Sequence, residues 1–345
     1  MGVTSPAGRR LRPLRPRHVN LLLELFVVAA IGTGLASWAV GDRWSGWLVV
    51  AHAIVGISLL ALVPAKVRGS VAPGFRRKRP TRWLSAAFGV LVLATVALGV
   101  SHATGVWYGV GYWSALWTHS LFAFALVPLF VWHLVTRPVS PRPTDLDRRA
   151  MLGGGLVVGV AATVYVAQEG ATRLTGLAGG DRRFTGSHEV ASYQPARMPT
   201  VIWFNDQRPA YIDEATWPLV IAGQPITVES LRARARPVVA TLDCTGGWWS
   251  EQSWDAVALS ELIPEPTGRS VRVESQTGYD RLFALDALDD VYLAVGYGGE
   301  PLRPGHGAPV RLVVPGRRGP WWVKWVTSVE PNDRPSWLQP PLPLT

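Results

Sequence analysis

Sulfur is almost absent from this chain, with one cysteine, Cys244, and three methionines in 345 residues. A single thiol cannot close an internal disulfide, build a four-cysteine zinc site, hold an iron–sulfur cluster or attach a c-type haem. Any redox chemistry must then use a cofactor that needs at most one protein sulfur. Charge is also scarce, at 17% of residues against 48% hydrophobic, and the mean hydropathy is +0.17. That balance excludes a disordered or fibrous chain and argues against a wholly soluble enzyme. Only three of the 34 basic residues are lysines: Lys66, Lys78 and Lys324. No GxGxxG, phosphate-binding loop or HExxH motif occurs, so nucleotide-binding and zinc-protease readings lack support.

What the chain does have is long apolar runs, at about 19–40, 46–65, 83–100, 115–136 and 150–168. Each approaches the ~20 residues a helix needs to cross ~30 Å of hydrocarbon. Few charges interrupt them, Glu24 being the main exception, and tryptophans such as Trp44, Trp83, Trp107 and Trp117 lie near their ends, where amphipathic rings prefer the headgroup zone. Basic residues crowd into the leader 1–17 and the connections 66–82 and 137–149, while the other two connections carry almost none. The positive-inside rule predicts a cytoplasmic N-terminus and five crossings of the plasma membrane, leaving everything after about 168 outside the cytoplasm. The net charge of +10 thus reads as a topology signal, and no nucleic-acid partner is expected.

Five of the seven histidines, His18, His52, His102, His119 and His133, lie in or beside these runs. Ionisable groups there are costly and usually functional. His119 and His133 fall within ~40° of one helix face and ~21 Å apart along it, so one helix offers an imidazole near each membrane surface. His52 lies level with the first and His18 with the second. This placement resembles the cytochrome b subunits of membrane-bound formate dehydrogenases and nickel–iron hydrogenases, four-helix bundles with stacked b-haems. The resemblance implies that His52 with His119 ligates an outer haem iron and His18 with His133 an inner one, with His102 as a competing outer ligand. One outer haem, or a haem-free anchor, are the alternatives.

The fifth run opens on Asp147-Arg148-Arg149-Ala150-Met151-Leu152. It resembles a twin-arginine export signal, here internal and uncleaved, although inside-positive charge alone would also account for it. Beyond a glycine-rich stretch the pattern changes to short β-branched and aromatic segments, at 199–204, 218–221, 237–242 and 310–314. These predict strands of an α+β domain of about 165 residues, enough for one core.

Cys244 closes the third of those segments, in Asp243-Cys244-Thr245-Gly246-Gly247-Trp248-Trp249. A lone cysteine is commonly a small buried hydrophobe, but the paired glycines admit something bulky to the backbone. Around it, Trp217-Pro218-Leu219-Val220-Ile221-Ala222-Gly223 and Ser253-Trp254-Asp255-Ala256-Val257-Ala258-Leu259 are followed by Arg303-Pro304-Gly305-His306-Gly307-Ala308-Pro309-Val310-Arg311 and then Val323-Lys324-Trp325. Over roughly 185–330 the chain resembles the sulfite oxidase family of molybdopterin enzymes. The resemblance implies molybdenum held by a pterin dithiolene and the Cys244 thiolate, with Asn205, His306, Gly307, Arg311 and Lys324 binding the cofactor. Tyr279 and Arg281 are loose candidates for contact with a substrate oxyanion.

The expected protein is multi-domain, an N-terminal all-α transmembrane bundle of five spans followed by an α+β sulfite oxidase-like molybdopterin domain. Its divisions are a basic leader 1–17, a four-helix cytochrome b-like domain 18–137, a fifth span with linker 138–180, and the molybdopterin domain 181–345. The expected function is oxygen-atom transfer on a small oxyanion or an S- or N-oxide, coupled through b-haems to the quinone pool, in either direction. A non-catalytic membrane-anchored adaptor that keeps the fold is the alternative, and it would carry no molybdenum.

Overall fold

The structure, a computed structural model, describes residues 14–110, 113–201, 208–210 and 212–342. The chain divides into two compact units, one of Met1–Gly34 with Val50–Gly180 and one of Leu35–Val49 with Asp181–Thr345.

In the first unit, helix α1 (Pro16–Ala39) is followed by α2 (Gly46–Lys66), which runs through a π-turn into the short α3 (Ala72–Arg76). Then come α4 (Arg82–Thr104), a two-residue ribbon of β1 (Gly109–Val110) and β2 (Trp113–Ser114), α5 (Ala115–Thr136) and α6 (Arg148–Leu174). Five helices are long and apolar enough to cross a bilayer. Their ends follow local chemistry. Gly105 stops α4 at φ +72°, a conformation glycine adopts without a Cβ penalty. The Ser114 hydroxyl caps α5 by accepting from Trp117 N at 3.0 Å, and the Asp147 carboxylate caps α6 by accepting from Ala150 N at 2.7 Å.

Phe26, Val27, Leu59, Leu62, Val92, Leu126 and Phe130 form this unit's core. Other apolar side chains point outward: Val90 is 66% exposed, Val135 74% and Met151 65%. At about 25 cal/mol per Å², such helix faces suit lipid rather than water.

The second unit continues with β3 (His188–Glu189), β4 (Val220–Ile221), β5 (Gln224–Pro225), α7 (Val228–Arg234), β6 (Arg236–Cys244), β7 (Trp248–Ala258), α8 (Leu259–Leu262) and β8 (Ser270–Ser275). It ends with β9 (Asp280–Phe283), β10 (Tyr292–Tyr297), β11 (Glu300–Pro301), β12 (Arg311–Val313) and β13 (Val326–Asn332). One sheet runs β11-β10-β7-β3, with β12 also on β10 and β6 also on β7; a second runs β5-β4-β13-β8-β9. Of the four expected strand segments, 218–221 contains β4, 237–242 lies within β6, 310–314 contains β12, and 199–204 runs outside the described residues.

The longest strand, β7, shows why sheet forms here. Trp248, Ser250, Gln252, Trp254 and Ala256 are buried in alternation with half-buried neighbours, the period-two pattern of a sheet with one face on the core. Strands β6 and β7 pair from Arg236–Ala256 to Cys244–Trp248. Their connecting turn, Thr245-Gly246-Gly247, therefore leaves Cys244 at the end of a rigid ribbon. Two segments from later in the chain carry the other candidate residues, the loop between β11 and β12 and the stretch Gly319–Trp325.

Candidate functional site

Cys244 is buried and forms no disulfide. Its Sγ accepts a hydrogen bond from Gly246 N at 3.3 Å. Burial pushes the thiol pKa up, while the Gly246 N–H and the charges of Arg318 and Lys324 pull it down. Those last three favour a thiolate. An alanine at Gly246 would place its Cβ 3.4 Å from Trp248 Nε1 and 3.5 Å from Cys244 Sγ, so thiol and indole converge on one spot. Trp248 Nε1 is buried without a partner. A buried orphan donor beside a thiol is what an added, acceptor-rich group would satisfy. Among the described residues, no cluster of three or more His, Cys, Asp or Glu could hold a metal.

Behind the thiol lies an ionic bracket that the sequence did not reveal. Asp243 is 4% exposed and accepts from Thr185 Oγ1 at 2.6 Å and Ser187 Oγ at 2.7 Å. Arg183 and Arg318 pair with it at 3.3 and 3.6 Å, and Arg318 also donates to the Cys244 carbonyl at 2.9 Å. The bracket fixes the backbone on both sides of the cysteine.

His306 and Arg311 sit in the loop and strand after β11. His306 Nε2 lies 3.1 Å from the Met198 carbonyl, which can only accept, so Nε2 carries the proton. Its Nδ1 then accepts from the Tyr297 hydroxyl at 2.8 Å. Burial, with Arg311 and Lys324 nearby, lowers this histidine's pKa to about 4, so it is neutral at pH 7. Both ring nitrogens serve the protein, and His306 braces the loop. Arg311 is 1% exposed; its guanidinium lies between the Trp254 and Trp322 rings, 4.9 and 5.4 Å from their centroids, and donates to the His306 carbonyl at 2.9 Å. Burial lowers its pKa to about 10, and it remains a cation.

Lys324 Nζ donates to the Val201 and Gly305 carbonyls at 2.8 and 2.6 Å. Gly307 has φ +102°, and a Cβ there would lie 3.0 Å from Arg311 Cβ and 3.1 Å from Lys324 Cα and Cβ. Gly307 thus lets the loop lie against both cationic residues. Asn205 lies outside the described residues. Tyr279 and Arg281 both donate to the Pro320 carbonyl, at 2.5 and 3.1 Å. They hold the turn Gly319–Trp321, at which a Gly319 Cβ would meet Cys244 Cα at 3.5 Å.

In the helical unit the structure brings His52 and His119 together, ring centroids 5.8 Å apart and nearly perpendicular. Each Nδ1 faces a backbone carbonyl, Ala30 at 3.0 Å and Thr95 at 2.7 Å, which fixes the proton on Nδ1 and leaves Nε2 as the basic nitrogen. Cβ atoms at Gly34 and Gly99 would come within 3.1 Å of these two rings. Two imidazoles with free basic nitrogens and glycine-cleared flanks fit axial ligation of one b-haem.

The other two predicted ligands are placed apart in function. His18 is buried with Nε2 3.8 Å from Asp145 Oδ1, and His133 lies against Phe88, centroids 5.9 Å apart, in the wall of a cleft whose lining does not include His18. His102 packs near Tyr108, 6.2 Å between centroids. The Asp145 partner of His18 comes from the connection 137–149, over 120 residues away, which is why spacing within the helices did not show it.

Residues 206–338 match the family described as oxidoreductase molybdopterin binding domain. A nitrate reductase (NADPH) of Mycosarcoma maydis is 48% identical over 54 residues, 16% of this chain and 6% of that protein. Nitrate reductase (NADH) 1 of Oryza sativa subsp. japonica is 47% identical over 53 residues, 15% of this chain and 6% of its own length. Among solved structures, the sulfane dehydrogenase SoxCD from Paracoccus pantotrophus is 30% identical, with a TM-score of 0.34, over 36% of this chain and 40% of that one. The chain spans a small fraction of the length of these curated relatives. The thiol, its bracket and the cationic loop all fall in or beside the segment that matches the molybdopterin-binding oxidoreductase domain.

Proposed function

We propose that this chain is a membrane-anchored molybdenum oxidoreductase whose active site exchanges electrons with the membrane quinone pool. The observation that carries the reading is the Cys244 thiol at the end of the β6–β7 ribbon, sharing one spot with an orphan indole N–H inside a molybdopterin-binding domain. When bound, the molybdenum–pterin group supplies two-electron oxygen-atom transfer to or from a small oxyanion, or an S- or N-oxide. The chain's own residues do the rest. Cys244 ligates as a thiolate, favoured by Gly246 N–H and Arg318. Arg311, held between two tryptophans, and Lys324 set a positive field beside the thiol and suit the cofactor's phosphate and amide edges. Asn205 and Gly307 complete the cofactor-binding set.

His52 and His119 would hold one b-haem, which would supply one-electron transfer toward the bilayer. The five apolar helices support a multi-pass anchor, and the arginine-rich connections support a cytoplasmic N-terminus with the molybdenum domain outside the cytoplasm. A domain exported with its cofactor must cross folded, which gives Arg148-Arg149 its purpose as a twin-arginine signal.

Metal analysis and a visible spectrum of the detergent-purified full chain test this. One molybdenum per chain, lost in Cys244→Ser, is expected together with a Soret band. Neither molybdenum nor pterin in protein isolated under cofactor-preserving conditions would overturn the reading. Direction is read from the haem: sulfite reduces it if the enzyme oxidises, and an S- or N-oxide reoxidises it if the enzyme reduces.

A further inference from the structure

We propose that the cleft at the arginine-rich end of the helical unit binds the headgroup of a membrane quinol or quinone and takes the place of a second haem. The inference rests on the membrane coupling proposed above. The cleft, with the open space at its mouth, spans about 1010 Å³. Leu23, Val27, Leu59, Phe88 and Phe130 make its walls apolar, and Asn20, Glu24, Lys66, His133 and Arg137 converge in it. Few polar groups aimed into an apolar pocket are the usual form of a small-molecule site, and ionisable groups inside a helical bundle mark function.

The polar groups are held in place rather than adrift. Lys66 Nζ donates to Asn20 Oδ1 at 2.7 Å. Arg137 donates to Ser85 Oγ at 3.3 Å and to the Thr81 hydroxyl. His133 stacks on Phe88 at an interplanar angle of 29°. Against this fixed frame, Glu24 Oε1 is buried with no hydrogen-bond partner. A buried acceptor left unsatisfied is expensive, and a ligand hydroxyl would satisfy it.

Three ligands compete for such a cleft, and the residues choose among them. A haem iron needs two axial bases, and His133 is the single histidine in the lining. A lipid phosphate would suit Lys66, Arg79, Arg82 and Arg137 in the lining but brings no donor to the unsatisfied Glu24 oxygen. A quinol offers hydroxyl groups and its oxidised form carbonyl groups, and the cleft supplies an acceptor in Glu24 and a donor in Lys66. The planar ring suits the space beside Phe88 and Phe130, and a prenyl tail suits the aliphatic wall.

The test uses the full-length protein with its cofactors in detergent. A short-chain naphthoquinone should bind saturably at one site per chain by equilibrium dialysis, about tenfold or more weakly in Glu24→Leu, the loss expected for one hydrogen bond to a charged group. An azido-quinone photolabel on the wild-type protein should mark peptides of α1, α2, α4 and α5, a readout that stands if Glu24→Leu does not fold. The proposal is overturned by labelling elsewhere, by unchanged affinity in Glu24→Leu, by short-chain phosphatidylglycerol binding with no quinone binding, or by a second b-haem per chain that His133→Ala removes. Molybdenum content separates the two proposals: its absence with quinone binding intact sinks the catalytic reading alone.

Discussion

Replacing Gly307 with alanine asks whether the cationic loop depends on backbone approach. The backbone there has φ +102°, and the added Cβ would lie 3.0 Å from Arg311 Cβ and 3.1 Å from Lys324 Cα. A side chain in the left-handed region costs about 1–2 kcal/mol, offset by about 0.4–1 kcal/mol from the stiffened unfolded chain. The steric part is larger. Lys324 Cα is backbone and cannot swing aside, and overpacking of this kind costs about 1–3 kcal/mol. The two together give about 2–4 kcal/mol.

Gly316→Ala is the matched control, because Gly316 has φ +77° with nothing within 4 Å of its Cβ. It carries the conformational cost alone, about 1 kcal/mol or less. In a domain of this size each kcal/mol shifts Tm by about 2–4 °C, so Gly307→Ala should lower the domain's transition by about 4–16 °C and Gly316→Ala by less than about 4 °C. Near-ultraviolet circular dichroism of the purified chain follows the transition through its buried tryptophans, and elemental analysis gives molybdenum per chain. The loop should lose metal in Gly307→Ala only. Equal shifts in the two variants, or a wild-type Tm with full molybdenum in Gly307→Ala, would refute the close-approach argument.

Three other perturbations follow from the same geometry. His306 has a folded pKa of about 4, below its unfolded value, so the unfolded state binds more protons between those values. Stability is then full above about pH 6.5 and falls as pH drops toward 4, by up to about 3 kcal/mol. In His306→Gln this acid slope should shrink in pH-dependent denaturant unfolding, and an unchanged slope would assign it elsewhere. Asp243→Asn should cost about 3–5 kcal/mol, because it leaves the buried Arg318 guanidinium without its counter-charge; urea unfolding measures it, and a cost below about 1 kcal/mol would show that the hydroxyl donors alone hold the bracket. Either His52→Ala or His119→Ala should abolish the low-spin b-haem spectrum, whereas His18→Ala should leave it intact. Loss of half the haem in His18→Ala would restore the two-haem arrangement.

The parts of this molecule legible in the sequence are those whose cause is local. Five apolar runs of span length became α1, α2, α4, α5 and α6 because hydropathy and helix length are properties of a short window. Cys244 could be placed at a strand end because β-branched residues precede it and glycines follow. What stayed hidden was every partner delivered by topology. Thr185 and Ser187 reach Asp243 across 58 and 56 residues, Arg318 reaches the Cys244 carbonyl across 74, and no pattern within a strand announces either. His306 shows the converse limit: a motif named the residue, but only its neighbours, Tyr297 and the Met198 carbonyl, show that both its nitrogens are engaged within the protein.

The helical half makes the same point about histidines. Spacing along α5 places His119 and His133 on one face, and that calculation treats them as equivalents. Packing separates them. His119 meets His52 with both Nδ1 atoms anchored to carbonyls, a symmetric pair built around two free basic nitrogens. His133 meets an aromatic ring and shares its cleft with an ammonium and a carboxylate that has an unsatisfied oxygen, an asymmetric set of acceptor and donor. A metal bound between two like bases fits the first arrangement, and a ligand that alternates between hydroxyl and carbonyl fits the second. On the proposed function, a chain with one cysteine would hold its three redox partners by three different devices, thiolate, paired imidazoles and a mixed polar cleft.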